Sequence, residues 1–340
     1  MVKKSSRTSI LVALLLLALP PAAAGNLTQR AEFKSFIDQM VKRHQFNGPL
    51  LDKMFRKVNL QPSIIEAITR PAEAKPWYQY RPIFLTQKRI DGGVKFWARH
   101  EEALRRAEAK YGVAPQYIVA IIGVETRYGR HMGNYRVLDA LATLAFDYPA
   151  RGSFFRSELE QYLLMTREEQ IDPLKMKGSY AGAMGQPQFI ASSFRSYAVD
   201  FDGDGRRDLW DSEVDVIGSV ANYFKRHGWV RGAPVAVPVQ VKGKGYRAIL
   251  DKGIKPDATL KEFRKVGISV PKDYSNNTEA GLIELENEDS NEYWAGMNNF
   301  YVITRYNHSA LYAMAVYQLG QEILHARQSH NMAASDEADN

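Results

Sequence analysis

Between residues 30 and 70 the apolar positions Phe33, Phe36, Ile37, Met40 and Val41 recur at steps of three and four, which predicts helix. Pro71, Pro76 and Pro82 then interrupt the pattern around an aromatic cluster, Trp77-Tyr78-Gln79-Tyr80. A second helical stretch is expected over about 93–111 from Phe96, Trp97, Leu104 and Ala107. The next, over about 114–128, is apolar almost throughout (Ile118, Val119, Ile121, Ile122, Val124), with Pro115 in a first turn that tolerates its missing N–H. Further helical patterns fall at about 136–146, 153–169, 190–198, 213–227 and 308–327. Between the last two the period shortens to that of a strand. Val235, Val237, Val239 and Val241 alternate, and Leu282, Ile283 and Leu285 mark a second short strand. The chain is expected to be mainly α, with a small β-containing insertion over 232–292 and a flexible polar tail over 328–340.

The first 24 residues follow another logic. Lys3, Lys4 and Arg7 precede an apolar run from Ile10 to Leu19, and Ala22-Ala23-Ala24 offers a small-residue cleavage site, the pattern of a secretory signal. That run is too short to span a bilayer. Its removal takes away three positive charges and no acid, lowering the formal net charge from +7 to +4. Such a mild excess suits an anionic polymer or a merely solvated surface. Without a basic stripe it disfavours nucleic acid. Cysteine is absent, so no disulfide can form and no thiol is present to carry a lipid; an exported, soluble, periplasmic protein is expected.

Candidate chemistry begins with DFDGDGRRDLWD, residues 200–211. Asp200, Asp202 and Asp204 stand at loop positions one, three and five, Gly205 at six and Asp211 at twelve, with a helix expected on each side. This is the spacing of an EF-hand calcium loop. Position seven would contribute the Arg206 carbonyl, and position twelve carries the shorter Asp211 where glutamate is usual, so Asp215, one helical turn on, could supply the bidentate contact instead. A single structural calcium ion is expected, against the alternative of a solvated acidic turn.

The second candidate is Glu125, a carboxylate at the end of the most apolar helix. Burial there would raise its pKa and leave it protonated near neutrality, as a general acid must be. A structural ion pair with Arg127 or Arg130 explains the residue equally well. The small residues of GSYAGAMGQPQF, 178–189, allow close backbone approach, and Ser179 and Gln188 add polar groups; the segment fits either a sugar-sized gap or a tight packing loop. In YVITRYNHSALYAMAVYQLG, 301–320, Tyr306, Asn307 and Tyr312 combine ring faces with an amide, which suits carbohydrate, although core packing would produce the same stripe.

Taken in order, GVETRYGR, GSYAGAMGQPQF, DFDGDGRRDLWD and NFYVITRYNHS resemble the lytic murein transglycosylase B family over about residues 33–325. The resemblance implies a goose-lysozyme-like catalytic core with a helical domain, an EF-hand-like calcium loop and a small β-containing domain. In these terms the chain divides into a signal peptide (1–24), a helical part (25–85), the lysozyme-like core (86–231), the β domain (232–292), a helical segment completing the cleft (293–327) and the tail (328–340). It also implies Glu125 as the sole acid and base. Ser179 and Gln188 would hold N-acetylmuramic acid, Tyr306, Asn307 and Tyr312 would be further sugar contacts, Tyr223 would lie in the cleft wall, and Tyr80 and Arg151 match outer-cleft residues. MGQPQF departs from the MGYGQF common in the family, so no role transfers to Gln186 or Pro187. The implied reaction cleaves the β-1,4 bond between N-acetylmuramic acid and N-acetylglucosamine and leaves 1,6-anhydro ends. Its partners would be peptidoglycan glycan strands, with room for cell-wall synthesis or remodelling proteins; calcium is the one cofactor implied. A lysozyme-type hydrolase using Asp139 or Asp147 as second carboxylate, and a non-catalytic peptidoglycan-binding protein, are the rival expectations.

Overall fold

A computed structural model describes residues 27–70 and 75–338; the expected signal segment lies outside the described residues. The chain falls into two compact units, divided at Lys57 and Val58 rather than near residue 85. In the first unit, helices α1 (Ala31–His44) and α2 (Gly48–Phe55) bury Phe33, Phe36, Met40, Leu51 and Phe55, the positions picked out by the three- and four-residue spacing. Phe33 and Phe55 meet edge to face at 4.9 Å.

The second unit opens with α3 (Pro62–Thr69), α4 (Trp77–Phe84), α5 (Gln87–Arg99), α6 (Glu101–Tyr111) and α7 (Pro115–Thr126). The proline-punctuated aromatic cluster is itself helical, contrary to the expectation of a break. Pro76 occupies the N-cap and Pro82 lies inside this short helix. The stretch expected as one helix over 93–111 is two, split at His100, where the backbone leaves helical geometry (φ −119°, ψ 26°). α7 is buried on nearly every side, as an all-apolar helix must be.

Next come α8 (Val137–Asp147), α9 (Gly152–Glu168), α10 (Ala191–Tyr197) and α11 (Glu213–Arg226), with the two-residue pair β1 (Tyr135–Arg136) and β2 (Lys177–Gly178) closing antiparallel beside them. Beyond α11 the chain forms an antiparallel sheet in the order β4-β6-β7-β3-β5: β3 (Ala236–Val241), β4 (Ala258–Thr259), β5 (Ile268–Ser269), β6 (Glu279–Glu286) and β7 (Asn291–Gly296). Two short helices, α12 (Arg247–Leu250) and α13 (Leu260–Lys265), close over a core of Val237, Val239, Ile249, Leu260, Phe263, Ile268, Leu282 and Ala295. β7 runs to Gly296, so the sheet reaches past the expected boundary at residue 292.

The chain then returns to helix in α14 (Asn298–Thr304) and α15 (Ala310–Ala338). α15 continues through the segment expected to be a flexible tail, at least as far as Ala338. It links sheet and helices. Tyr317 donates to the Ala236 carbonyl at 3.1 Å and stacks on Tyr117 of α7, whose hydroxyl accepts from Gln321 at 2.9 Å.

Candidate active site

Glu125 sits in the last turn of α7, flanked by the buried residues Val124 and Thr126. Its partner comes from 187 residues further along: the Tyr312 hydroxyl on α15 donates to Glu125 Oε1 at 2.5 Å. Burial pushes the carboxyl pKa up from 4.5 to about 7, and the Tyr312 hydrogen bond pulls against that rise. Neither Arg127 nor Arg130 forms an ion pair with Glu125 among the described residues, so the structural-pair alternative fails.

Three phenols sense the Glu125 charge. Tyr80, Tyr306 and Tyr312 all have raised pKa values, first through burial and then through repulsion from the carboxylate, so each stays neutral. Tyr80 comes from α4, braced by Phe84 with ring centroids 5.1 Å apart. Tyr306, in the turn before α15, donates to the Pro187 carbonyl at 2.7 Å and lies 4.8 Å from the Tyr223 ring. Tyr223, on α11, is 7% exposed, donates to the Arg305 carbonyl at 2.6 Å and stacks on His227. Phe189 completes this wall at 5.6 Å from Tyr223 and 5.9 Å from Tyr306.

The segment 178–189 is fastened directly behind the acid. The Thr126 hydroxyl donates to the Gln186 carbonyl at 2.8 Å and accepts from Gly129 N at 3.0 Å. Gln186 is 4% exposed; its backbone N–H donates to the Leu209 carbonyl and its side-chain amide to that of Trp210. Gln188 holds a left-handed backbone (φ 51°), and its amide nitrogen donates to the carbonyls of Met132 and Gly185. Ser179 closes a turn by accepting from Ala183 N at 3.1 Å and remains partly exposed. Thr126, Gln186 and Phe189 were not singled out as site residues by the sequence. Their roles depend on contacts across 60 or more positions for Thr126 and on ring packing for Phe189, which no local pattern signals.

Asn307 is exposed at the turn between α14 and α15. Arg151 is not brought to Glu125 by any contact; its guanidinium lies over Phe154, 4.4 Å from the ring centroid. Asp139, a rival second carboxylate, is 4% exposed and already engaged by Arg136 at 2.6 Å and by Asn59 N at 3.0 Å.

The acidic loop places one carboxylate oxygen from each of Asp200, Asp202 and Asp204 within 4.8 Å of one another, all on exposed residues. Gly205 turns the chain at φ +89°, a conformation that favours glycine. Asp200 accepts from the N–H groups of Gly203 and Gly205, and Asp204 from that of Arg206, so the loop is held in shape by its own acids. An all-oxygen, charge-rich set of this kind fits calcium. Asp215 stands outside the cluster of three. It is fully buried, and its oxygens accept from Phe201 N at 2.7 Å, Asp202 N at 3.2 Å and Asp208 N at 2.8 Å. It clamps the two ends of the loop together. Asp211, exposed at position twelve, stands outside the cluster of three, and Arg206 is exposed at position seven.

Residues 28–321 match the family described as the transglycosylase SLT domain. Over 313 residues the chain is 46% identical to the membrane-bound lytic murein transglycosylase B of Escherichia coli, covering 89% of this chain and 85% of that protein. Among solved structures, soluble lytic transglycosylase SltB1 of Pseudomonas aeruginosa matches with a TM-score of 0.84 at 49% identity, over 89% of this chain and 100% of that one. The Escherichia coli lytic transglycosylase SLT35 in complex with calcium matches at 0.80 and 45%, over 90% and 95%. SltB3 of Pseudomonas aeruginosa in complex with NAG-NAM-pentapeptide matches at 0.78 and 32%, over 88% and 80%.

Proposed function

This chain belongs to the lytic murein transglycosylase family and is a lytic transglycosylase acting on peptidoglycan; from that premise we propose that Glu125 is the single group that both gives and takes the proton. The observation that carries this is the partly buried Glu125 carboxyl, with a pKa of about 7 and a hydrogen bond from Tyr312. At neutral pH a substantial fraction is protonated and can act as acid. Glu125 protonates the oxygen joining N-acetylmuramic acid to N-acetylglucosamine as the bond from that oxygen to the anomeric carbon breaks. The muramic N-acetyl group stabilises the cation that develops, a substrate-assisted route that needs no second carboxylate. The ionised Glu125, held by Tyr312, then removes the proton from the sugar's own 6-hydroxyl as that oxygen bonds to the anomeric carbon. Glu125 ends protonated, a 1,6-anhydro end forms, and no water is consumed.

Ser179, Gln188, Tyr306 and Asn307 are assigned to the sugar beside the cleaved bond, Tyr223 to the wall behind it and Tyr80 to the outer end. Arg151, packed over Phe154, is assigned to the outer cleft as well. Asp200, Asp202 and Asp204, with the Arg206 carbonyl and either Asp211 or Asp215, would hold one structural calcium ion. The calcium-bound SLT35 relative and the close approach of three carboxylates support this. Bound calcium supplies charge neutralisation that keeps the loop, and with it Leu209 and Trp210, in place. We assign the enzyme to the periplasm, where its substrate lies; among the described residues no helix is long and apolar enough to cross a membrane.

Mass spectrometry of digested sacculi tests the reaction. Products should be lighter by one water than hydrolytic fragments, and Glu125→Gln should release none. Clearing of sacculi by Glu125→Gln at the parental rate would overturn the assignment.

A further inference from the structure

Gln186 stands where MGQPQF departs from the MGYGQF common in the family, so resemblance gives it no role. It is nevertheless a polar side chain only 4% exposed, in a place where backbones meet closely. A methyl group at Gly185 would stand 2.5 Å from the Leu209 carbonyl oxygen, and one at Gly129 would stand 3.0 Å from the carbon of the Gln186 amide. Gln186 is thus gripped between the turn that ends α7 and the late part of the acidic loop.

Three of its four polar atoms reach different parts of this frame. Its carbonyl accepts from Thr126, the residue next to Glu125, at 2.8 Å. Its N–H donates to the Leu209 carbonyl at 2.8 Å, and Nε2 donates to the Trp210 carbonyl at 3.2 Å. The fourth, Oε1, is buried without a hydrogen-bond partner among the described residues, a cost that stability alone gives no reason to keep. Pro187 extends the frame to the other side of the acid. Its carbonyl accepts from Tyr306 at 2.7 Å, six residues before Tyr312, whose hydroxyl meets Glu125 at 2.5 Å. Residues 186 and 187 therefore join both supports of the Glu125–Tyr312 hydrogen bond, the end of α7 and the turn before α15.

We propose that Gln186 is a positioning residue for Glu125: its amide anchors the 186–187 segment to the Trp210 carbonyl and so holds α7 and α15 at the separation that keeps Glu125 against Tyr312. Buried as it is, it acts through Thr126 and Pro187 and not on the substrate. Its backbone hydrogen bonds are open to any residue at 186; the Nε2 bond is what glutamine adds. Placement matters at this scale, because a shift of roughly 1 Å in a reacting group costs about a hundredfold in rate. The kinetic consequence rests on Glu125 being the acid, whereas the placement of its carboxyl does not.

Gln186→Met tests the anchor. Methionine keeps the volume, removes the unpaired acceptor and alters no charge, so the variant should fold and its melting temperature should change little. Its kcat should fall about tenfold or more, with KM little changed. Burial outweighs the Tyr312 hydrogen bond in raising the Glu125 pKa, so a carboxyl displaced towards water should titrate lower, by about one pH unit. The alkaline limb of kcat/KM should move down with it. Carbon-13 NMR of glutamate-labelled protein, assigned by the signal missing from Glu125→Gln, reads the same midpoint without turnover. The ionisable groups facing Glu125 are the phenols Tyr80, Tyr306 and Tyr312, which stay neutral, so a moved midpoint reports displacement and not a lost charge. Gln186→Asn, whose amide is one methylene short of the Trp210 carbonyl, carries the same expectation if the methionine variant does not fold. A midpoint that stays in place or rises in a folded variant would overturn the proposal, whatever the rate does. A lowered midpoint with unchanged kcat would uphold the positioning and remove Glu125 as the acid.

Discussion

Glu125→Gln should stabilise the protein, and by an amount that depends on pH. The folded carboxyl titrates near 7, while in the unfolded chain it returns to 4.5. Below pH 4.5 both states are protonated and the group takes nothing from stability. As pH rises the unfolded chain releases its proton first, and the fold loses about 1.4 kcal/mol per pH unit until the folded carboxyl also ionises. The rise from 4.5 to about 7 therefore corresponds to about 3 kcal/mol lost by pH 8. Glutamine at 125 carries no proton to lose and keeps the Tyr312 hydroxyl within hydrogen-bond reach. The stability difference, variant minus wild type, should grow by about 3 kcal/mol between pH 4.5 and pH 8. Urea unfolding followed by tryptophan fluorescence at steps across that range measures it. A difference that stays flat, or shrinks as pH rises, would show that Glu125 titrates as an ordinary surface carboxylate, and the acid assignment would go with it. The expected outcome is an inactive and more stable variant, the usual relation between a catalytic group and its fold.

Tyr312→Phe removes the hydrogen bond that favours ionised Glu125, so the alkaline fall of kcat/KM should move up by about one pH unit, with a lower maximum; an unmoved limb would refute the role of Tyr312. Thr126→Val leaves the buried Gln186 carbonyl without its donor and should cost about 1–3 kcal/mol in urea unfolding, with a larger fall in kcat than in KM. Chelation, or Asp200→Ala, should lower the melting temperature by the equivalent of about 3–4 kcal/mol at saturating calcium, and an unchanged melting curve would remove the ion from the account. Asp215→Ala should destabilise the protein even without calcium, because three backbone N–H groups lose their acceptor.

The helices were legible where burial alone shaped them. α7 announces itself through an unbroken apolar run behind Pro115, and Glu125 stands out because nothing in that run accounts for a charge. The split at His100 left no trace in the pattern, since Phe96, Trp97, Leu104 and Ala107 are buried on both sides of it. α4 was hidden by its prolines. At the N-cap proline needs no helical bond, and in an eight-residue helix Pro82 forfeits only one. The far end of α15 is polar, and polar composition does not distinguish an exposed helix from a frayed tail. Asp215 shows the limit of spacing as evidence. A carboxylate one turn beyond an acidic loop gives no sign in the sequence that it also accepts from three backbone N–H groups, which only the folded chain shows. Ser179, Gln188, Tyr306 and Tyr312 could be named through resemblance, whereas the grouping of Lys88, Arg89, Arg127 and Arg130 around one cavity is assembled from α5 and the end of α7 and has no linear signature.

One carboxylate can act twice in a turnover only if its two protonation states lie close in free energy at working pH. Burial by itself would leave Glu125 a willing acid and a reluctant base; the Tyr312 hydrogen bond draws the pKa back towards neutrality. Neutral phenols suit this balance better than ions. Tyr80, Tyr306 and Tyr312 keep their protons, so they surround the acid without adding charge, and Tyr312 still donates when Glu125 ionises. A guanidinium at the same distance would hold the carboxylate ionised and remove the acid half of the cycle. Arg127 is only two residues away and would do this if it faced the other way. The left-handed turn at Arg127 (φ 51°) and Tyr128 (φ 62°), secured by the Tyr128 hydroxyl on the Arg89 carbonyl, keeps that charge on a cavity lined also by Lys88, Arg89 and Arg130. Backbone strain thus separates two electrostatic environments, one neutral enough to cycle a proton and one lined by Lys88, Arg89, Arg127 and Arg130.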